Sequence, residues 1–152
     1  MRGLRFWALS ALCLVALIVS GCAERDLSKP PKIGYGRDVC AQCRMIIEDE
    51  RFACAAVSPD GRYLKFDDIG CMAAHEKENG QALRAWVRDA EGDGWIAREK
   101  AGFVHSKDLV TPMGCGLAAF STEARAKKFC NKKTGDLIMW NALLNLTREE
   151  VK

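Results

Sequence analysis

The chain has 152 residues, 49% of them hydrophobic, with a formal net charge of +3 and eight cysteines. No basic stripe with interleaved aromatics is present, which argues against a nucleic-acid partner. With the first 21 residues set aside, 131 remain, enough to bury one modest core or two small modules.

Residues 1–21 read as an export signal. Arg2 and Arg5 form a basic start, and Phe6 to Val19 is an apolar run too short to span a bilayer comfortably. Val19-Ser20-Gly21 before Cys22 resembles the bacterial lipobox. That resemblance implies cleavage before Cys22, acylation of Cys22 and stable anchoring by several acyl chains. The alternative is an uncleaved signal anchor. Ala23, rather than Asp, follows the lipidation site. In a Gram-negative cell this favours the outer membrane, with the body facing the periplasm. No second apolar segment is long enough to span a membrane. Loss of two arginines with the signal leaves the mature chain close to neutral.

Residues 22–37 read as a lipidated linker, with turn and extended signals at Ser28-Lys29-Pro30-Pro31 and Gly34-Tyr35-Gly36. The rest reads as an α+β fold of two ββαβ modules in tandem. In residues 38–90, Arg51 to Ser58 and Arg62 to Phe66 form a hairpin around Pro59-Asp60-Gly61. Asp67 or Asp68 caps a helix to Asn79 with Gly80 as its stop, and Leu83 to Asp89 is a third strand. In residues 91–152, Trp95 to Ala97 or Gly102 to His105 supplies a strand and Gly116 to Phe120 the next. Ser121 caps a helix to Thr134 with Gly135 as its stop, and Asp136 to Trp140 closes the module. Phe66-Asp67…Gly80 and Phe120-Ser121…Gly135 have nearly the same spacing, which suggests an internal duplication. From Asn141 the leucines read as a short packing helix, with Thr147 to Glu150 at capping-box spacing.

After Cys13 leaves with the signal and Cys22 takes lipid, six cysteines remain: Cys40, Cys43, Cys54, Cys71, Cys115 and Cys130. An even number outside the cytoplasm ordinarily suggests disulfides; the alternative is that a metal keeps some reduced. Cys40-Ala-Gln-Cys43-Arg-Met45 concentrates soft ligands. A redox pair needs a strand–CxxC–helix setting, and none is visible. A zinc ribbon needs a second CxxC about 15–20 residues on, and there is none, although Cys54 and Cys71 could complete a zinc or iron–sulfur site at irregular spacing. A structural disulfide is the plainest alternative. Met45 favours Cu(I), because thioether suits that soft ion. Thr111-Pro112-Met113-Gly114-Cys115-Gly116 is a second sulfur cluster, with Pro and Gly shaping a tight loop. Its Met113 is read as a ligand, against a buried loop anchor as the alternative.

Cys40-x-x-Cys43-x-Met45, Arg51-Phe52-Ala53, Phe66-Asp67-Asp68-Ile69-Gly70-Cys71-Met72 and Pro112-Met113-Gly114-x-Gly116-x-x-x-Phe120 together resemble the nitrous oxide reductase accessory lipoproteins, the NosL family. The resemblance covers nearly the whole mature chain. It implies a periplasm-facing lipoprotein that binds Cu(I) and supplies it to nitrous oxide reductase alongside an ABC-type maturation system. It also implies a fold of two ββαβ modules like that of organomercurial lyase. Carried over by position, Cys40, Cys43, Met45 and Met113 are the implied metal ligands, with Cys71 and Cys115 as further candidates. The chain is richer in cysteine than the family pattern, with Cys54, Cys115 and Cys130 as additions.

Plainer readings account for several other residues. Cys71 and His75 share a helix face at i, i+4, a metal-binding spacing, but a buried thiol beside a solvated histidine is simpler. His105 reads as a satisfied or surface histidine, and Cys130 as core with Ala126 and Phe129. Asp67 and Asp68 are helix-start residues. The lysines and arginine of 125–133 form a solvated face or a docking surface for an acidic partner. No Ser/His/Asp set or paired-carboxylate site is present, so a metallochaperone rather than an enzyme is expected. The alternatives are a thiol–disulfide redox lipoprotein, a lyase acting on thiol–metal bonds, and a zinc-binding or disulfide-stabilised structural lipoprotein.

Overall fold

The computed structural model describes residues 26–145 except Ala82 and Asp93. The expected signal peptide, Cys22 and the Thr147–Glu150 capping box lie outside the described residues. No helix among those described is long and apolar enough to cross a membrane.

The first module is built on an Ala-rich central strand. β1 (Cys54–Val57) is buried along its whole length, which small side chains permit where both sheet faces are covered. It pairs antiparallel with β2 (Tyr63–Phe66) and with β3 (Arg84–Arg88), so Cys54 lies between Phe66 and Val87. The hairpin closes tightly, with Gly61 N–H donating to the Ser58 carbonyl at 2.9 Å. Helix α1 (Ile69–Asn79) starts at an Asp68 cap and ends on Gly80 in the left-handed conformation, at the two ends read from the sequence.

Both alternative strands before the second hairpin form, in different sheets. β4 (Trp95–Ala97) pairs with β3 and gives the order β2-β1-β3-β4, so the first sheet extends past residue 90. β5 (Gly102–His105) centres the second sheet between β6 (Leu117–Phe120) and β7 (Asp136–Ile138). With helix α2 (Glu123–Lys132) between β6 and β7, the second ββαβ unit is complete. Helix α3 (Trp140–Asn145) follows, so Trp140 opens a helix rather than closing a strand.

The ends of α2 differ from expectation. Its cap is Thr122, whose hydroxyl accepts from Arg125 N–H at 3.2 Å. Ser121 instead donates its N–H to buried Asp89 at 3.3 Å. The helix ends at Lys132, with Lys133 in extended backbone. Gly135 is drawn against β5, where a side chain would come within 3.1 Å of the His105 carbonyl oxygen. The chain must leave the helix early to reach its pairing with that strand.

The modules share one core. Phe66, Met72 and Val87 from the first cluster with Phe103, Leu117 and Leu143 from the second. A buried ion pair ties α1 to the second module: Arg98 binds Glu76, donates to the Leu83 carbonyl at 2.8 Å and stacks on Trp140 at 4.8 Å. Residues 26–39 are laid along the first sheet rather than projecting from it. Tyr63 donates to the Asp26 carbonyl, Lys65 pairs with Asp38 at 2.6 Å, and Ile33 and Tyr35 pack on the core. This delivers Cys40 to the edge of β2.

Candidate metal centre

Three pieces of chain converge at the start of α1. The first is the Cys40–Met45 turn. Cys40 N–H donates to the Met45 carbonyl at 2.8 Å and Arg44 N–H to the Cys40 carbonyl at 3.2 Å, while Val39 and Ile46 form a β-bridge. Arg44 takes φ 67°, the one non-glycine in the left-handed region among the described residues, a conformation L-residues adopt at a cost. Ala41 N–H donates to the Lys65 carbonyl at 2.8 Å and pins the turn to β2. Cys40 is buried and Cys43 half-buried, whereas Met45 is 54% exposed.

The second piece is Phe66-Asp67-Asp68-Ile69-Gly70-Cys71. Asp68 accepts from Cys71 N–H at 2.8 Å, which sets Cys71 in the first helical turn. The sulfurs of Cys40, Cys43 and Cys71 all lie within 4.8 Å of one another. A three-coordinate ion with metal–sulfur bonds of about 2.3 Å needs sulfurs about 4 Å apart, so small side-chain adjustments would complete the site.

The third piece comes from the second module. Met113 N–H donates to the other Asp68 carboxylate oxygen at 3.1 Å. Cys115 lies directly over Gly70, where a side chain would collide with its sulfur and come within 2.9 Å of its Cβ. Gly116, in the left-handed region, packs against the Ser106 carbonyl, and its N–H donates to Thr111 Oγ1 at 3.2 Å. Half-buried Met113 packs on the core.

The electrostatics divide the three thiols. A hydrogen bond from the Cys71 thiol, joined by the N–H groups of Cys43, Asp67 and Gln42, holds the Cys40 thiol down to about 5 despite burial. Cys71 is pushed up because it keeps the proton it shares with Cys40, and burial and Asp68 add to this. Burial raises Cys43. Asp67 is pushed up to about 6 by burial, then by Asp68 and the Cys40 thiolate. At neutral pH one sulfur is therefore already ionised at the positive end of a helix, while the other two keep their protons and would release them only to a bound metal.

The structure thus brings Cys40 and Cys43 together with Cys71, and docks the Met113–Cys115 loop beside them. Met45 lines an adjacent groove of about 610 Å³. His75 does not join Cys71 around a common point: its Nδ1 lies 3.2 Å from Gln42 Oε1 and its ring packs on Phe66. Cys54 is fully buried at the start of β1 and strongly raised by that burial. Cys130 is half-buried on α2. The sequence reading ranked Cys71 below the thioethers. The signal available was Asp68 three residues before Cys71, the spacing of a capped first turn.

No curated protein matches the chain. The fold matches the crystal structure of the copper chaperone NosL from Shewanella denitrificans, with a TM-score of 0.68 at 16% identity over 80% of this chain and 97% of that one. A family model, NosL, matches residues 34–146. That match spans both modules and the turn and loop that carry the sulfurs, and the chain belongs to the NosL family.

Proposed function

We propose that this protein is a lipid-anchored metallochaperone whose cargo is Cu(I). The observation that carries the reading is the trio of Cys40, Cys43 and Cys71 sulfurs within 4.8 Å of one another. Zinc in structural sites takes four ligands, whereas Cu(I) accepts three sulfurs or fewer. The similar fold of a protein described as a copper chaperone supports this reading. The Met113 thioether, on a loop hydrogen-bonded to the same Asp68 that caps Cys71, is the candidate auxiliary ligand, with Met45 and Cys115 in reserve. Transfer proceeds by ligand exchange: an acceptor sulfur or imidazole bonds before a donor thiolate leaves, and no turnover of substrate is involved. Acylation at Cys22 holds the protein on the periplasmic side of a membrane, the outer membrane in a Gram-negative cell. The acceptor is nitrous oxide reductase, reached through its ABC-type maturation system.

The test is a competition titration of the reduced mature chain, with Cys22 removed, against a chromophoric Cu(I) chelator and with Zn(II) in parallel. Tight Cu(I) binding that weakens sharply in Cys40→Ser and Cys71→Ser supports the site, with a smaller loss in Met113→Ala. Unchanged affinity in both cysteine variants, or a clear preference for Zn(II), overturns it. The ionised Cys40 beside two thiols would also serve thiol–disulfide exchange. Reduction of a disulfide substrate at catalytic rates by the metal-free protein would favour that second reading.

A further inference from the structure

The groove beside the sulfur trio separates the 45–52 segment of the first module from the 108–112 loop of the second. Six large apolar side chains are exposed among the described residues; Leu137 and Met139 lie away from the groove, and the other four gather at it. Met45 is 54% exposed, Ile46 49% and Val110 87%, and all three line the groove. Val39, 51% exposed, borders it through its bridge to Ile46. Solvated β-bridges and loop tips have no folding reason to carry such side chains, and a contiguous apolar patch of this kind marks an interaction surface.

The polar lining has a sign. Glu48, Asp67 and Asp108 face the groove against Lys133, while Arg51 is neutralised by Asp49 through a 2.7 Å ion pair. The floor also meets the metal site, because the Asp67 N–H that approaches the Cys40 sulfur belongs to a groove residue. Anything seated in the groove therefore lies beside the cargo.

We infer that this groove is the docking surface for the copper-receiving partner, and that it takes a protein segment presenting apolar side chains flanked by lysine or arginine. The inference rests on the metallochaperone reading and names the chemistry of its partner. Opposite charge orients the encounter, and burial of Ile46 and Val110 holds the complex while ligands exchange. Lys133, the residual cation, lies on the second module's side of the groove and limits how much positive charge is accepted there.

The test uses the full-length lipoprotein and the purified maturation complex of its own organism. Cu(I) transfer is followed from wild type, Ile46→Asp, Val110→Asp and Asp108→Lys, to that complex and separately to a small chromophoric chelator. The expected result is transfer to the complex slowed roughly tenfold or more, as for loss of a buried interface contact, with chelator extraction and Cu(I) affinity at wild-type values. In parallel, a photo-crosslinking amino acid at Val110 is activated in the metal-free protein mixed with the complex. The expected crosslink maps to an apolar segment rich in lysine or arginine. Wild-type transfer rates in all three variants, or a crosslink to an acidic surface or to a second copy of this chain, would overturn the inference. If the wild-type protein fails to bind Cu(I), the metallochaperone reading falls. The crosslink still decides whether the groove docks such a segment.

Discussion

Asp68 holds Met113 across 45 positions of sequence: one carboxylate oxygen accepts the Met113 N–H at 3.1 Å while the other caps α1 at Cys71 at 2.8 Å. A single buried side chain thus sets the spacing between a thiol of the first module and a thioether loop of the second. Asp68→Ala removes the cap and the tether together. Loss of a cap costs about 1 kcal/mol, and a buried N–H left without a partner adds about 1–3 kcal/mol. The expected outcome is a lower urea midpoint together with weaker Cu(I) binding. Asp68→Asn, which keeps an acceptor for one of the two donors, should fall between.

Gly70 and Cys115 form a second contact across the same seam. A side chain at position 70 would strike the Cys115 sulfur. Gly70→Ala should therefore cost about 1–3 kcal/mol in overpacking, outweighing the roughly 1 kcal/mol that Ala gains over Gly inside a helix. In a double-mutant cycle with Cys115→Gly, the penalty should shrink or reverse. An undiminished penalty in the double mutant, by thermal or urea unfolding, would show that the clash lies elsewhere.

The pH dependence of the metal-free, reduced protein follows from Cys40 and Cys71. The Cys40 thiol is depressed from 9.0 to about 5 by its hydrogen bonds. Between those values the folded state holds fewer protons than the unfolded chain. Its contribution is full above about pH 9, declines as pH falls and is gone below about pH 5. Cys71 is raised, so its contribution has the opposite sense and is lost as pH climbs above 9. Asp67, raised to about 6, works against this rise below about pH 6, so stability should rise from about pH 7 to 9 and fall beyond. The rise should be absent in Cys40→Ser, as read by urea unfolding in the presence of a non-thiol reductant.

Glu76 and Arg98 test the joint between modules away from the sulfurs. Both are about nine-tenths buried, and Glu76 also receives a 3.4 Å hydrogen bond from Trp140 Nε1. Glu76→Ala takes away the buried partner of Arg98 and leaves only the exposed Glu99 carboxylate at 3.4 Å and the Leu83 carbonyl, a loss of up to about 3 kcal/mol. The melting temperature should drop by more than in any surface variant. Cu(I) affinity of the folded fraction should stay near wild type, since the side chain of Glu76 is engaged by Arg98 and Trp140.

Local chemistry made much of this protein legible in its sequence. Pro59-Asp60-Gly61 can close a hairpin and little else, Asp68 and Gly80 bracket a helix, and the repeated spacing around Phe66 and Phe120 exposed two ββαβ units. Cys40-x-x-Cys43-x-Met45 suggested soft-metal chemistry because its three sulfurs are neighbours along the chain. What required the tertiary structure was every relationship between residues far apart. Cys71 meets Cys40 and Cys43 only because Lys65 pins the turn to β2 and Asp68 starts α1 beside it. The strand Trp95–Ala97 joins the first sheet because the open edge of β3 lies within its reach. Thr122 rather than Ser121 caps α2 because buried Asp89 claims the Ser121 N–H. Propensity and spacing record what a segment can form alone. Which sulfurs come together, and which surface stays open beside them, is decided by long-range hydrogen bonds and by a core that both modules fill.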